Sequence, residues 1–382
     1  MKELTYSNLK QLKPNSYILI DTRDSGSILY GMIPGAIHIA EQELYANLVR
    51  YAKEFDSQKD VILYCQRGVR SINLAEAFEE QGRECCSLSG GYLAYLRDTV
   101  SSDKQSSEIQ PKAENSIRRK YHKQLFTPFA KACKQYQLIR EGDHIAVCIS
   151  GGKDSMLMAK LFQEIQTHRQ VNFDLTFLVM DPGYHADNRS LIEHNARNLG
   201  IPVTIFESSI FDAVDTVEKN PCYLCARMRR GYLYSKAKEL GCNKIALGHH
   251  YDDVIETILM GMLYGGQVQT MMPKLHSTNF EGMELIRPMY LIREADICKW
   301  REYNELHFLQ CACHFTETCT TCHEDGTTSS KRLETKKLIA ELKKTNPQVE
   351  ANIFNSVSNV NLSTVIAYKE EGVKHHFLDN YK

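Results

Sequence analysis

The stretch that decides the fold is His144–Ser155, HIAVCISGGKDS, and the helix-forming segment MLMAKLFQEI follows it directly. Its first six, mostly apolar residues have the length of a strand, and they lead into a turn with two glycines. Glycines let the backbone approach a phosphate, and the helix start supplies oriented N–H donors. The spacing differs from that of a Walker A loop, which argues against kinase or GTPase chemistry. The stretch therefore predicts a phosphate-binding strand–loop–helix unit of another type.

The same alternation of strand and helix continues along the chain. Strands are expected at Leu175–Met180, Pro202–Phe206 and Lys244–Leu247, with helical sequences between them. Such βαβ units build a parallel sheet, and ligands bind beyond the carboxyl ends of its strands. We therefore predict an α/β fold whose site is formed by the residues that follow each strand.

A smaller α/β unit is predicted at the N-terminus. Its strands are expected at Tyr17–Asp21 and Asp60–Tyr64, and its helix at Ser71–Gln81. The segment 99–116 is polar and Ser-rich without apolar periodicity, which is typical of a linker. We therefore expect one domain at 1–98, a linker at 99–116 and a second domain at 117–382.

A reactive cysteine is predicted in the loop Cys65–Ser71, CQRGVRS, which lies between a strand and a helix. Backbone N–H groups and the positive end of a helix both favour a thiolate, and Arg67 and Arg70 add positive charge. A phosphate-holding cysteine loop would place arginine six positions after the cysteine, where this chain has Ser71. The tighter loop suits a persulfide.

This part of the chain resembles the rhodanese family over about residues 5–98. The resemblance is carried by CQRGVRS together with LIDTR at Leu19–Arg23 and GMIPGAIHIA at Gly31–Ala40, although Met32 replaces the usual histidine. It implies that Cys65 carries sulfane sulfur, with Arg70 as a catalytic neighbour.

The loop SGGKDS is similar to the PP-loop of ATP pyrophosphatases, which adenylate a carbonyl oxygen and release pyrophosphate. The resemblance implies ATP as a cofactor and catalytic roles for Lys153 and Asp154. The nucleotide-binding residues that it implies are Ser150, Gly151, Gly152, Lys153, Asp154, Ser155, Asp181, Gly248, His249, Asp252 and Asp253.

A magnesium site is a further possibility in GHHYDDVIET, which follows Lys244–Leu247. If a helix begins there, Asp252 and Glu256 lie on one face, and paired carboxylates near phosphates suit Mg²⁺. The alternative is an ordinary helix start, where the macrodipole favours acids.

The pair Cys222–Cys225 in KNPCYLCARMRRGYL fits a redox dithiol, half of a zinc site or two ligands of an iron–sulfur cluster. The order of motifs favours the last. REGDHIAVCISGGKDS, CYLC, ALGHHYDDVIETILMGMLYGG, MMPKL and IRPMYLIREADI together resemble the tRNA 2-thiocytidine synthetases, from about Ile117 to Ala367.

That resemblance implies a [4Fe–4S] cluster held by Cys222, Cys225 and Cys313, with Cys311 as the alternative third ligand. It implies a tRNA partner, a cysteine desulfurase or other sulfane-sulfur donor, and a homodimer. The arginines after the pair become candidates for tRNA backbone contacts: Arg227, Arg229 and Arg230.

The segment Cys311–Gly326, CACHFTETCTTCHEDG, contains two further cysteines, Cys319 and Cys322, whose role stays open. Cys319–His323 matches a c-type haem attachment string, which we interpret as coincidence. Cys319 and Cys322 could form a local zinc or redox pair, or a persulfide relay.

Composition sets the outer bounds of the prediction. The 382 residues carry a net charge of −1 and 13 cysteines, and neither a signal peptide nor a membrane span is apparent. We therefore expect a cytoplasmic protein with reduced thiols. Three alternatives to cytidine thiolation stay open: thiolation of a uridine in tRNA, an ATP-dependent amide or lysidine ligase, and a zinc-stabilised RNA-binding or sulfur-carrier protein.

Overall fold

The computed structural model describes residues 2–102, 108–184, 186–208, 210, 221–308 and 331–381. The chain divides into two compact units, which are taken one at a time below. The larger unit comprises Met1–His250 and Pro273–Thr320, and the smaller comprises Tyr251–Met272 and Thr321–Lys382.

The larger unit begins with a parallel five-stranded sheet in the order β1-β5-β4-β2-β3. Its strands are β1 (Lys2–Leu4), β2 (Tyr17–Asp21), β3 (Ile37–His38), β4 (Asp60–Tyr64) and β5 (Cys85–Leu88). Its helices are α1 (Tyr6–Leu9), α2 (Glu41–Ala46), α3 (Leu48–Glu54), α4 (Val69–Glu80) and α5 (Gly91–Ser102). The predicted bounds of β2 and β4 are confirmed.

A second sheet of six strands lies in the same unit, in the order β10-β11-β9-β6-β7-β8. Its strands are β6 (His144–Ile149), β7 (Asp174–Asp181), β8 (Val203–Glu207), β9 (Lys244–Ala246), β10 (Lys274–His276) and β11 (Glu284–Ile286). Only the β10–β11 pair among these described strands is antiparallel. The predicted α/β class and parallel sheet are confirmed.

Helices accompany this sheet as the sequence pattern predicts. They are α6 (Ile109–Arg118), α7 (Thr127–Gln135), α8 (Lys153–Thr167), α9 (Ala186–Asn198), α10 (Pro221–Glu239) and the helix Glu294–Tyr303. A π-helical turn at His122–Phe126 joins α6 to α7.

The segment 99–116, for which we predicted a linker, is helical at both of its described ends. Helix α5 continues to Ser102, and α6 begins at Ile109. One face of α6 is buried, and the hydroxyl of Ser116 accepts hydrogen bonds from Trp300 Nε1 and Asn304 Nδ2, both at 3.1 Å. The polar composition conceals this helix because its buried residues are only Ala113, the hydrogen-bonded Ser116 and Ile117.

One hydrophobic core serves both sheets. A single cluster of buried residues contains Leu19 and Tyr92 of the N-terminal sheet region together with Phe162 and Trp300 of the second. A separate cluster lies on the other side of the N-terminal sheet and includes Leu63 and Phe78. The two α/β regions therefore pack against each other through apolar side chains.

The smaller unit is helical with a terminal hairpin. Its helices are Tyr251–Gly265, Lys331–Thr345 and Val349–Ser356, and its hairpin pairs Ala367–Glu370 with Val373–His376. Across the described parts of both units, no helix has the length and apolar character that a membrane crossing requires.

Candidate functional site

Cys65 lies at the point where β4 ends and α4 is about to begin. Its Sγ accepts a hydrogen bond from the Gly68 N–H at 3.2 Å and lies 3.6 Å from the donating hydroxyl of Ser71. Backbone and hydroxyl donors that converge on one sulfur stabilise negative charge there. The loop therefore places two hydrogen-bond donors at this sulfur.

Gly68 shapes the turn around this sulfur. Its φ is +88°, and an added Cβ would lie 2.8 Å from both the Leu88 oxygen and the Gly90 nitrogen. Backbone atoms cannot yield to such a contact, and a positive φ already disfavours other residues. The loop therefore requires glycine at this position.

Two arginines flank the sulfur loop in different ways. Arg70 is exposed, with its Nη1 3.8 Å from the Glu41 carboxylate. Arg23 is buried and forms a 2.6 Å ion pair with Asp21, while its Nη1 donates to Gln66 Oε1 at 3.3 Å. Arg23 thus steadies the loop from the core side, and Arg70 remains at the surface.

The SGGKDS loop adopts the predicted strand–loop–helix geometry, with α8 beginning at Lys153 directly after β6. The Ser155 hydroxyl accepts from the Ser150 N–H at 3.1 Å and donates to the Gly152 oxygen at 3.0 Å. Gly151 has a φ of +84°. The loop is therefore folded by its own hydroxyl and glycine residues, and the helix start faces the position that a phosphate would take.

Lys153 is a buried cation, with a side chain only 1% exposed. Its Nζ lies 3.1 Å from Asp154 Oδ2 and 3.2 Å from Glu294 Oε1, and 4.7 Å from the centre of the Tyr30 ring. Burial by itself would lower the pKa of Lys153, but the nearby Asp154, Tyr30 and Glu294 groups outweigh it and raise the pKa. Lys153 therefore stays protonated, as a phosphate-binding lysine must.

Asp154 has one carboxylate oxygen available. Its Oδ1 is buried without a hydrogen-bond partner among the described residues, and His250 Nε2 lies 3.9 Å away. Gly248, after β9, approaches the same loop, because a Cβ there would lie 3.3 Å from the Asp154 carbonyl carbon. A buried carboxylate oxygen without a donor is suited to a cation or a ligand donor.

Asp181 is the last residue of β7, one residue beyond the predicted end of that strand, and it is buried. Its Oδ1 accepts the N–H groups of Gly183 at 2.9 Å and Tyr184 at 2.7 Å, and its Oδ2 lies 3.1 Å from Arg189 Nη1. The carboxylate therefore shapes the loop that follows the strand.

The acidic residues predicted for magnesium lie in the smaller unit. Arg332 Nη1 is 2.8 Å from Asp253 Oδ1 and 3.0 Å from Glu256 Oε2, and Glu256 is buried. This guanidinium already neutralises Glu256. Glu256 is thus paired with Arg332 in this structure, and the Asp252–Glu256 magnesium pair stays a prediction.

Only two of the predicted cluster ligands, Cys222 and Cys225, lie in the described part of the chain. The backbone positions of Cys222 and Cys225 lie within α10. Cys311, Cys313, Cys319 and Cys322 lie outside the described residues. Within the described ranges, no group of three or more His, Cys, Asp or Glu residues could hold a metal ion. Of the candidate tRNA contacts, Arg227 and Arg230 are exposed and Arg229 is half-buried.

Sequence reasoning missed three residues that contact the PP loop. Glu294 lies within the motif IRPMYLIREADI, which the sequence analysis used, but its contact with Lys153 was not predicted. His250 follows His249, whose Nδ1 instead lies 3.4 Å from Arg287 Nε. Tyr30 belongs to the N-terminal region, and its position beside Lys153 depends entirely on tertiary packing.

Comparison with known sequences identifies both parts of the chain. The PP-loop domain family matches residues 118–313, and the rhodanese-like domain family matches residues 5–98. The tRNA-cytidine(32) 2-sulfurtransferase of Geobacter sulfurreducens is 32% identical over 242 residues, which cover 63% of this chain and 90% of that protein. The enzyme of the same name from Paraburkholderia phytofirmans is 33% identical over 253 residues, covering 65% of this chain and 72% of that protein.

Among solved structures, the chain is similar to the U34-tRNA thiolase NcsA from Methanococcus maripaludis with its [4Fe-4S] cluster. The TM-score is 0.48 at 24% identity, over 61% of this chain and 76% of that one. The sequence relatives decide the family: the chain belongs to the PP-loop sulfurtransferases and carries a rhodanese-like domain ahead of its PP-loop domain.

Proposed function

We propose that this protein thiolates a cytidine of tRNA at C2, using ATP at the SGGKDS loop and sulfur carried by Cys65. The observation that carries the proposal is the presence of both loops in one compact unit, in a chain whose relatives are tRNA-cytidine(32) 2-sulfurtransferases. A sulfur-carrying thiol and a nucleotide loop are the two activities that ATP-dependent thiolation requires.

The first step loads the sulfur. A sulfane-sulfur donor, such as the persulfide of a cysteine desulfurase, transfers its terminal sulfur to the Cys65 thiolate, and the donor leaves as a thiolate. The new Cys65 persulfide is anionic, and the Gly68 N–H and the Ser71 hydroxyl are placed to stabilise that charge.

The second step activates the base. The C2 oxygen of cytidine attacks the α-phosphorus of ATP, the bond to the β-phosphate breaks, and pyrophosphate leaves. Lys153 and the α8 N-terminus offset the charge of the phosphates, and the free oxygen of Asp154 suits the Mg²⁺ that accompanies ATP.

The third step replaces oxygen by sulfur. The sulfur atom forms a bond to C2 and AMP leaves with the former C2 oxygen. Release of sulfide from the Cys65 persulfide takes two electrons from a thiol reductant, which regenerates the Cys65 thiolate. The target base must leave its stack for this reaction, which is easier in a loop than in a duplex.

Three cysteines are a soft donor set that suits iron, and two of them lie three residues apart in α10. We propose that Cys222, Cys225 and Cys313, or Cys311 in its place, hold a [4Fe–4S] cluster. When bound, such a cluster supplies one iron without a protein ligand, at which sulfide can bind. The exposed Arg227 and Arg230 on the same helix are proposed to contact tRNA phosphates.

Nucleoside mass spectrometry tests this proposal. tRNA from a deletion strain should lack 2-thiocytidine, and the wild-type gene should restore it while the Lys153→Met and Cys65→Ser variants should not. Loss of a thiouridine instead would reassign the base. Unchanged thionucleosides would refute tRNA thiolation, and lost lysidine would indicate a ligase.

A further inference from the structure

The N-terminal domain contacts the PP loop directly through the 3₁₀ helix Ser27–Tyr30. The Tyr30 ring centre lies 4.7 Å from Lys153 Nζ. The carbonyl oxygen of the preceding Leu29 lies 4.0 Å from Cys298 Sγ, on the helix that carries Glu294. One short segment of the rhodanese-like domain thus contacts both Lys153 and the helix that carries Glu294.

The aromatic contact completes the surroundings of a buried ammonium. Asp154 and Glu294 lie within ion-pair distance of Lys153, and Tyr30 offers its ring face to the same Nζ. A desolvated cation over an aromatic ring is held more strongly than an exposed one. Tyr30 therefore restricts where the flexible lysine side chain can lie.

The segment is itself fixed on both sides. Gly31 has a φ of +129°, and an added Cβ would lie 2.5 Å from the Tyr92 hydroxyl and 2.9 Å from His307 Nδ1. The Gly31 oxygen accepts a 2.7 Å hydrogen bond from Arg23, the residue that also contacts the sulfur loop. The backbone after Tyr30 is therefore packed too closely to drift.

We propose that Tyr30 is a positioning residue for Lys153, so that the rhodanese-like domain forms part of the nucleotide site of the PP-loop domain. The inference rests on the proposed use of ATP at SGGKDS. A free lysine side chain loses much rotamer freedom when it orders around a phosphate. Because Tyr30 already restricts the Lys153 side chain, less conformational entropy is lost when the nucleotide binds, which favours binding.

Calorimetric titration of the full-length protein with α,β-methylene-ATP, which cannot be cleaved, tests this role. Tyr30→Leu removes the ring face and should weaken binding about ten-fold, the size expected for a desolvated cation–π contact. Tyr30→Phe keeps the ring and should stay within about two-fold of wild type. The same Tyr→Leu change at the exposed Tyr381 should leave the Kd unchanged.

Turnover supplies the second measurement. Tyr30→Leu should raise the KM for ATP more than it lowers kcat, since Asp154 and Glu294 still hold Lys153 near the reacting phosphates. Retained thiosulfate–cyanide sulfur transfer shows that the N-terminal domain is folded, and Tyr30→Met replaces the ring if the leucine variant fails that check.

Unchanged or tighter analogue binding by folded Tyr30→Leu would overturn the positioning role, since the ring would then be neutral or would hold Lys153 away from the nucleotide. A wild-type chain that binds no analogue would instead overturn ATP use at this loop, and with it the proposed function. The two failures are therefore distinguishable.

Discussion

The ammonium of Lys153 lies 3.2 Å from the carboxylate of Glu294, 141 positions further along the chain. The pair joins the start of α8 to the start of the helix Glu294–Tyr303. A buried lysine with partners this close keeps its charge, which a phosphate-binding group needs. Much of the proposed chemistry depends on that single buried cation.

Removal of the Lys153 charge should abolish activation of the base. We expect Lys153→Met to slow pyrophosphate release roughly 100-fold or more, the loss typical when a preorganised charge is removed from a transition state. A coupled pyrophosphate assay with tRNA measures this. Lys10→Met, at an exposed lysine, is the control, and near-normal release by Lys153→Met would exclude Lys153 from catalysis.

Cys65→Ser should eliminate sulfur transfer from thiosulfate to cyanide, because a serine hydroxyl cannot form a persulfide. Cys86→Ser changes a half-buried thiol of the same domain and should retain transfer. The neighbouring Cys85 is a poor nucleophile, since burial raises its pKa to about 12. Wild-type turnover by Cys65→Ser would remove this thiol from the route.

Alanine substitutions at Gly82 and Gly68 distinguish the effect of a positive φ from that of a steric clash. Gly82 has a φ of +78° with nothing near its virtual Cβ, whereas Gly68 combines φ +88° with 2.8 Å contacts to backbone. Gly82→Ala should cost about 1–2 kcal/mol of unfolding free energy and keep sulfur transfer. Gly68→Ala should cost more and abolish transfer. Chemical denaturation and the thiosulfate assay measure both; equal costs would contradict the clash.

Glu284 should make stability depend on pH. It lies 3.1 Å from the buried Lys244 and 3.3 Å from Lys274. Burial alone would raise the pKa of Glu284, but the two lysines outweigh it and lower the pKa. The stabilisation is therefore present above the unfolded-state pKa and is lost as the pH falls through the folded-state pKa.

Glu284→Gln tests that linkage. At pH 7 the variant should lose roughly 1.5 kcal/mol of unfolding free energy, since Lys244 loses one carboxylate partner and keeps Asp143, 2.7 Å away. The difference from wild type should shrink in acid, below about pH 4.5. Glu341→Gln, at an exposed ion pair, should change little at any pH. A pH-independent deficit for Glu284→Gln would refute the linkage.

Local pattern predicted the strands and the sulfur and nucleotide loops closely. The predicted bounds His144–Ile149 hold without adjustment, because an apolar run bounded by turn residues is a local signal. Glu294, His250 and Tyr30 could not be placed beside the PP loop, since no local pattern encodes contacts between distant segments. Helix α6 was missed because its buried face depends on Trp300 and Asn304, far along the chain.

The hydrophobic core that both sheets share limits how far the N-terminal domain can move. A domain that moves between a sulfur donor and an acceptor site must separate from its neighbour. These two sheets bury side chains in one cluster, so each separation would expose that apolar surface to water. We therefore expect the N-terminal domain to stay in place against the second sheet instead of moving as a rigid body. If Cys65 supplies the sulfur as proposed, the sulfur species or the tRNA moves between Cys65 and the PP loop, and a change in the length of segment 103–107 should leave the rate of sulfur supply unchanged.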